Sequence, residues 1–331
     1  MISWRLSTGL SSISTTGRIR SIQTCRSSCS PPLTRTRMPR KFQTTQTQSK
    51  KMIKITADQF EQLLPFVRAA SEDVFTKIEP SFEQTYNDLV ADVVNTDHES
   101  EATQEGSPLL RHVTGYVILA TFLDRLHSQD IIMTDNGFGV VSNDNIAPAS
   151  QARVDALERE LTYSRDMARH NILNELRRVE GWAETDQALD NIRSFLWSPF
   201  ILRRYYFADR KLTFDDLAAF NPNISSAENF LRKQLSDDLI DQMLCEERKA
   251  AFEPNHRRAK LKMLDFIALF LPKNGELIDK RDIHGSFESL LRFIEEHLDD
   301  FAKYRDSTAY KANHMQAYEN KTDDTTFFFA G

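Results

Sequence analysis

Residues 109–127 read LLRHVTGYVILATFLDRLH. Leu109, Leu110, Val113, Tyr116, Val117, Ala120, Leu123 and Leu126 recur at three- and four-residue steps, with Ile118, Leu119 and Phe122 between them. This pattern predicts a helix whose centre is buried on most sides. Its longest mainly apolar run, Tyr116 to Leu123 with Thr121 inside it, is eight residues, far short of the roughly 20 that a membrane helix needs.

Upstream, Thr56 with Asp58 and Glu61 forms a cap and an acidic first turn, followed by Phe60, Leu63, Leu64 and Val67 at helical spacing. A second helix is predicted over 71–94, with Pro80 as a kink. Residues 95–107, polar and acidic, are expected to form a loop. Downstream the period changes. Ile131-Ile132-Met133 and Phe138-Gly139-Val140-Val141 flank Asp135-Asn136-Gly137, and Asn-Gly between apolar runs signals a hairpin because both central residues take positive φ. An ordered loop over 142–150 then leads to helices over 151–179, ended by Gly181, and over 184–197.

The second half echoes the first. Residues 54–65 align on 211–222 with Lys, Thr, Asp and Pro identical, and each segment precedes an acidic amphipathic helix (71–94; 226–245) and then an apolar one (109–127; 257–271). Either a helical module is duplicated or a generic cap recurs. A final stripe, Phe287, Leu290, Leu291, Ile294, Leu298 and Phe301, predicts a helix over 286–304. The expected fold is mainly α, a multi-helix bundle of two tandem related modules with one β-hairpin insertion. Its divisions are a basic leader (1–51), a module with the hairpin at 131–141 (52–205), a second module (206–305) and an extended tail (306–331).

Charge separates the leader from the body. Ten of the 42 basic residues and none of the 48 acidic ones lie in 1–51, so residues 52–331 carry 32 basic against 48 acidic groups. A Ser/Thr/Arg-rich segment with few large apolar side chains is expected to be disordered. It reads as a mitochondrial transit peptide, as a nucleic-acid-binding arm, or as an extension upstream of a start at Met52. The acidic body disfavours nucleic-acid binding by the core. Three cysteines, an odd number, exclude a disulfide framework and point to a reducing compartment.

Catalytic signatures are missing: the sequence has no G-x-G-x-x-G, P-loop, G-x-S-x-G or H-E-x-x-H. No two of the eight histidines lie within ten residues of each other, so none forms a helical ligand pair. Cys25 and Cys29 lack a matching pair, the Glu295-Glu296-His297 and Asp299-Asp300 turn reads as a solvated face, and Cys245 reads as a small buried residue. Arg203-Arg204-Tyr205-Tyr206 mixes basic and aromatic groups as single-strand binders do, but is read as a packed helix end. No enzyme, metal or cofactor is expected. Were the chain a helical enzyme or regulator, His112, His127 and Glu175 would be its candidate polar groups.

The run from Met133 to Asp155, MTDNGFGVVSNDNIAPASQARVD, resembles the signature of an uncharacterised family encoded in bacterial prophages and tailed phages. The apolar helix before it, the long helix after it and the Phe327–Gly331 terminus look similar too, over residues 52–331. The resemblance implies a virion structural protein, a head–tail connector or adaptor that assembles as a homo-oligomeric ring with portal or tail components as neighbours, first in the bacterial cytoplasm and then in the virion. The expected assembly contacts are Ile131, Asn136, Gly137, Phe138, Val140, Ile146 and Pro148, with Phe327, Phe328 and Phe329 at the end.

Overall fold

Thr56 accepts the N–H of Gln59 while the Gln59 side chain accepts the N–H of Thr56, a reciprocal cap that starts α1 (Ala57–Leu63). A computed structural model describes residues 53–65, 71–126, 131–134, 137–140, 151–206, 208–272 and 280–314, all within the compact unit Ser49–Gly331. The leader, with Cys25 and Cys29, lies outside these residues, as do His127, loop 141–150 and the end of the tail.

Helix α2 (Ser71–Leu89) continues through Pro80 and ends in a π-helical turn, Val90–Val94, closed by the Asn95 N–H on the Val90 carbonyl at 2.8 Å. Three side chains from one later segment then take the carbonyls the wide turn frees: Gln187 on Ala91, Asn191 on Asp92 and the Trp182 indole on Val93, at 2.9, 2.8 and 3.1 Å. The expected loop 95–107 is more regular than its composition. Asn95, at φ 78°, accepts the N–H of Asp97, and a 3-10 turn (Thr96–His98) and α3 (Glu99–Ala102) follow. The buried methyl of Ala102 anchors that segment.

The Ser107 hydroxyl and Pro108 start α4 (Pro108–Arg125), whose middle from Val117 to Phe122 is buried on every side, as its sequence predicts. Strands β1 (Ile131–Thr134) and β2 (Gly137–Val140) pair antiparallel with Ile131 opposite Val140 and Thr134 opposite Gly137. Helix α5 (Gln151–Leu176) lies along α4 in the most extensive helix contact among the described residues. Gly181 (φ 83°) turns the chain into a 3-10 turn, Trp182–Glu184, and α6 (Asp186–Asn191).

The helix expected over 184–197 stops at Asn191. Ile192, Phe195, Leu196 and Trp197 leave helical geometry and plug the seam between two hydrophobic cores. Phe60, Phe122, Ile172 and Trp182 belong to the first; Phe195, Leu231, Met243 and Phe266 belong to the second. Beyond the short α7 (Pro199–Leu202), the second core is built from α8 (Phe214–Gln234), α9 (Asp237–Arg248), α10 (Pro254–Ala268) and α11 (Lys280–Glu296). The amphipathic stretch 226–245 is therefore two helices, not one: Ser236 caps α9 by accepting the Leu239 N–H.

The final helix also differs from expectation. It begins at Lys280 and ends at Glu296, where His297 Nδ1 bonds the Phe293 carbonyl at 2.9 Å. Phe301 and Tyr304 reach the core from the next turn and α12 (Ala302–Arg305), and the tail starts with a short helix, α13 (Thr308–Asn313). The echo between 54–65 and 211–222 takes the form of one local device, since Thr213 and Asp216 make the same reciprocal cap on α8. The segments then diverge: α1 stops before Pro65, whereas α8 runs on through Pro222 to Gln234. No helix among the described residues is long and apolar enough to cross a membrane.

Candidate functional site

Helix α9 turns its last-turn carboxylate, Glu247, inward, leaving it 1% exposed. Glu247 Oε1 accepts the Trp197 indole N–H at 2.7 Å and pairs with Arg177, the residue just after α5, at 3.1 Å, while Oε2 accepts from Lys260 of α10. The Glu247 carbonyl accepts a further bond from Arg177 Nε at 2.6 Å. Past the helix end, Ala250 takes φ 51°, and the N–H groups of Ala250 and Ala251 return to the carbonyls of Glu247 and Glu246. That left-handed stop usually falls to glycine. It leaves Ala250, Ala251 and Phe252 as one wall of a cleft of about 540 Å³.

The opposite wall comes from the end of α5, the turn residue Arg177 after it and the segment 197–205: His170, Asn174, Arg177, Trp197, Ile201, Arg204 and Tyr205. His170 stacks on Trp197 with ring centroids 5.2 Å apart. Its Nε2 faces the Asn174 side-chain NH2 at 2.9 Å and so accepts, which puts the ring proton on Nδ1, donating to Ser198 Oγ at 2.8 Å. Burial, reinforced by the nearby Arg177 and Arg204 charges, lowers the His170 pKa to about 4, so the ring is neutral near pH 7. This serine–histidine pair is not a nucleophile and its base. Ser198 is fully buried and caps α7 through the Phe200 N–H, and His170 has an amide behind it instead of a carboxylate.

Arg177, Arg204, Arg257 and Lys260 face the cleft with Glu247 as its single carboxylate. Burial depresses the Lys260 ammonium against the opposing pull of Glu247. Arg204 and Arg257 are exposed and have no ion pair among the described residues. Elsewhere in the basic–aromatic run, which follows the end of α7, the exposed Arg203 bonds the Tyr163 hydroxyl and Tyr206 lies on Phe220.

Among the residues expected as assembly contacts, Ile131, Gly137, Phe138 and Val140 fall on the paired strands. Asn136, Ile146, Pro148, Phe327, Phe328 and Phe329 lie outside the described residues. Of the alternative polar set, His127 lies outside the described residues. His112, on α4, is near enough to Glu175 of α5 to feel its charge, yet burial and Arg111 outweigh that and lower its pKa; Glu175 is paired with Arg178. Cys245 is a half-buried free thiol, and no cluster of three metal-ligating side chains occurs among the described residues.

Residues 65–192 match the model of a family of unknown function, DUF6712. That span takes in α2 to Ile192, most of the first core and the α5 wall of the cleft, and stops before Trp197. No curated protein matches the chain, and no solved structure does.

Proposed function

We propose that the chain is a non-enzymatic assembly protein of a phage-like particle, a head–tail connector or adaptor acting as a homo-oligomer. In this reading the strand ribbon is an insertion in a body of two tandem helical modules. The observation that carries it is the pairing of β1 and β2 with each other alone: no third strand joins them among the described residues. A two-stranded ribbon is marginal by itself and offers two open backbone edges, which a neighbouring subunit can pair. Most of the ribbon, from Met133 to Val140, falls in the stretch 133–155 that resembles the phage-encoded family, and an acidic body suits a conduit whose wall must release passing phosphates.

Light scattering with size-exclusion chromatography tests this on the full chain, on a chain ending at Thr325, and on one with 131–140 replaced by a Gly/Ser linker. A discrete oligomer that dissociates in either variant is the expected result; a monomer in all three at tens of micromolar overturns it. A second reading, a helical regulatory protein that binds a ligand, is favoured by the basic cleft.

A further inference from the structure

We propose that the cleft between α5, Trp197–Tyr205 and the α9–α10 turn binds a small organic phosphate, its phosphate seated among Arg177, Arg204, Arg257 and Lys260. Four cationic side chains face this cleft against one carboxylate, in a body that is otherwise acidic. That carboxylate is already spent: both Glu247 oxygens hold donors from Arg177, Trp197 and Lys260. Of the three positive charges this leaves, two lie on the exposed Arg204 and Arg257. A multiply charged oxyanion matches such an excess better than a single carboxylate, and guanidinium forks match its geometry.

The size and lining argue for an organic ligand. About 540 Å³ is within the range of small-molecule sites and far larger than an orthophosphate ion needs. Leu261, 51% exposed at the rim, and the half-buried Tyr205 ring give an organic group apolar surface to cover. Ala250, at φ 51°, sits at the same rim, and non-glycine residues held at positive φ cluster at ligand clamps. Neutral His170, with Nε2 committed to Asn174 and Nδ1 to Ser198, fixes the back wall.

Titration calorimetry on the full chain at low ionic strength, with orthophosphate, pyrophosphate and metal-free ATP, tests the site against sodium chloride matched in ionic strength. ATP is expected to saturate one site and to bind more tightly than pyrophosphate. The exposed pair Arg204→Ala/Arg257→Ala should weaken ATP about tenfold or more, each tenfold step being about 1.4 kcal/mol, with an unchanged circular dichroism spectrum. No saturable binding by any phosphate, or equal affinity in the double variant, overturns the site. ATP no tighter than pyrophosphate overturns the organic ligand. The inference does not depend on the assembly reading, because the oligomeric state does not enter this measurement.

Discussion

Trp197 donates its indole N–H to Glu247 at 2.7 Å and thereby ties the first core to the second. The two residues are 50 positions apart, and the bond is buried. Glu247 gathers Arg177 and Lys260 at the same point, so one carboxylate joins the turn that ends α5, the non-helical plug and α10. Two further carboxylates repeat the device along the seam. Asp166 of α5 accepts the Phe214 N–H at the start of α8, and Glu228 of α8 accepts the Phe195 N–H of the plug. Buried backbone donors that leave helical geometry at a seam require acceptors, and here acidic side chains supply them.

Removing Glu247 should therefore cost more than removing Trp197's donor. Glu247→Ala strands two half-buried cations and the buried Trp197 N–H and is expected to lose about 3 kcal/mol or more, while Trp197→Phe should lose about 1–3 kcal/mol for one lost hydrogen bond to a carboxylate whose Oε1 keeps Arg177. Urea unfolding of each variant measures both. Equal small losses would show that the seam is held by apolar packing alone.

Two buried groups make opposite contributions to pH dependence. Burial raises Glu228 from 4.5 to about 7, partly offset by the Phe195 N–H and Arg232. Between those values the unfolded chain gives up the proton first, so stability falls as pH rises from 4.5 to 7, by about 3 kcal/mol at most at 1.36 kcal/mol per unit. His170 is lowered from 6.5 to about 4, so the unfolded chain takes up the proton first and stability falls as pH drops from 6.5 to 4. The two offset each other between pH 4.5 and 6.5. Glu228→Gln should uncover a stability that rises with pH there, and His170→Gln one that falls, read from denaturant midpoints across that range. Parallel profiles in the two variants would refute the assignment.

The sequence makes the helical class legible because burial follows the 3.6-residue period, as Ile78, Phe82, Tyr86 and Leu89 of α2 and the Leu290/Ile294 stripe demonstrate. It misplaces elements where tertiary burial overrides that period. Phe195, Leu196 and Trp197 are apolar enough to extend a helix but instead fill a seam that exists only once both cores have formed. The break at Leu235-Ser236 was available in Ser236-Asp237-Asp238, a cap followed by an acidic first turn, but the apolar rhythm runs on across it. The cleft was hidden for another reason. Its walls come from 170–177, 197–205 and 247–264, and Glu247 sits in a charged Glu246-Glu247-Arg248 run that reads as solvated surface. Only Arg204-Tyr205, with its mixed basic and aromatic character, signalled part of it.

At the helix stop after α9, Ala250→Gly should stabilise the protein by up to about 1 kcal/mol, since a left-handed conformation costs an L-residue roughly 1–2 kcal/mol and glycine's unfolded-state entropy returns part of the gain. The reverse change at another left-handed position, Gly181→Ala (φ 83°, its new methyl 3.5 Å from the His98 ring), should lose a similar amount. Thermal unfolding of both variants checks the pair, and a destabilised Ala250→Gly would contradict the strain at this turn.

The π-helical turn at 90–94 depends on side chains nearly a hundred residues away. Its widened geometry leaves the carbonyls of Ala91, Asp92 and Val93 to Gln187, Asn191 and Trp182, and Gln187 also accepts from Asn95, the residue that closes the turn at φ 78°. Gln187→Ala and Asn191→Ala should each cost about 1 kcal/mol. Their effect should be additive neither with each other nor with Asn95→Ala, because the three share one network. Hydrogen exchange gives the sharper readout: the amide of Asn95, bonded to Val90, should lose protection in Gln187→Ala while amides in α9 and α10 keep theirs. Unchanged protection at Asn95 would mean that the turn holds its shape through the packing of Val90, Val93 and Val94 alone, without the borrowed side chains.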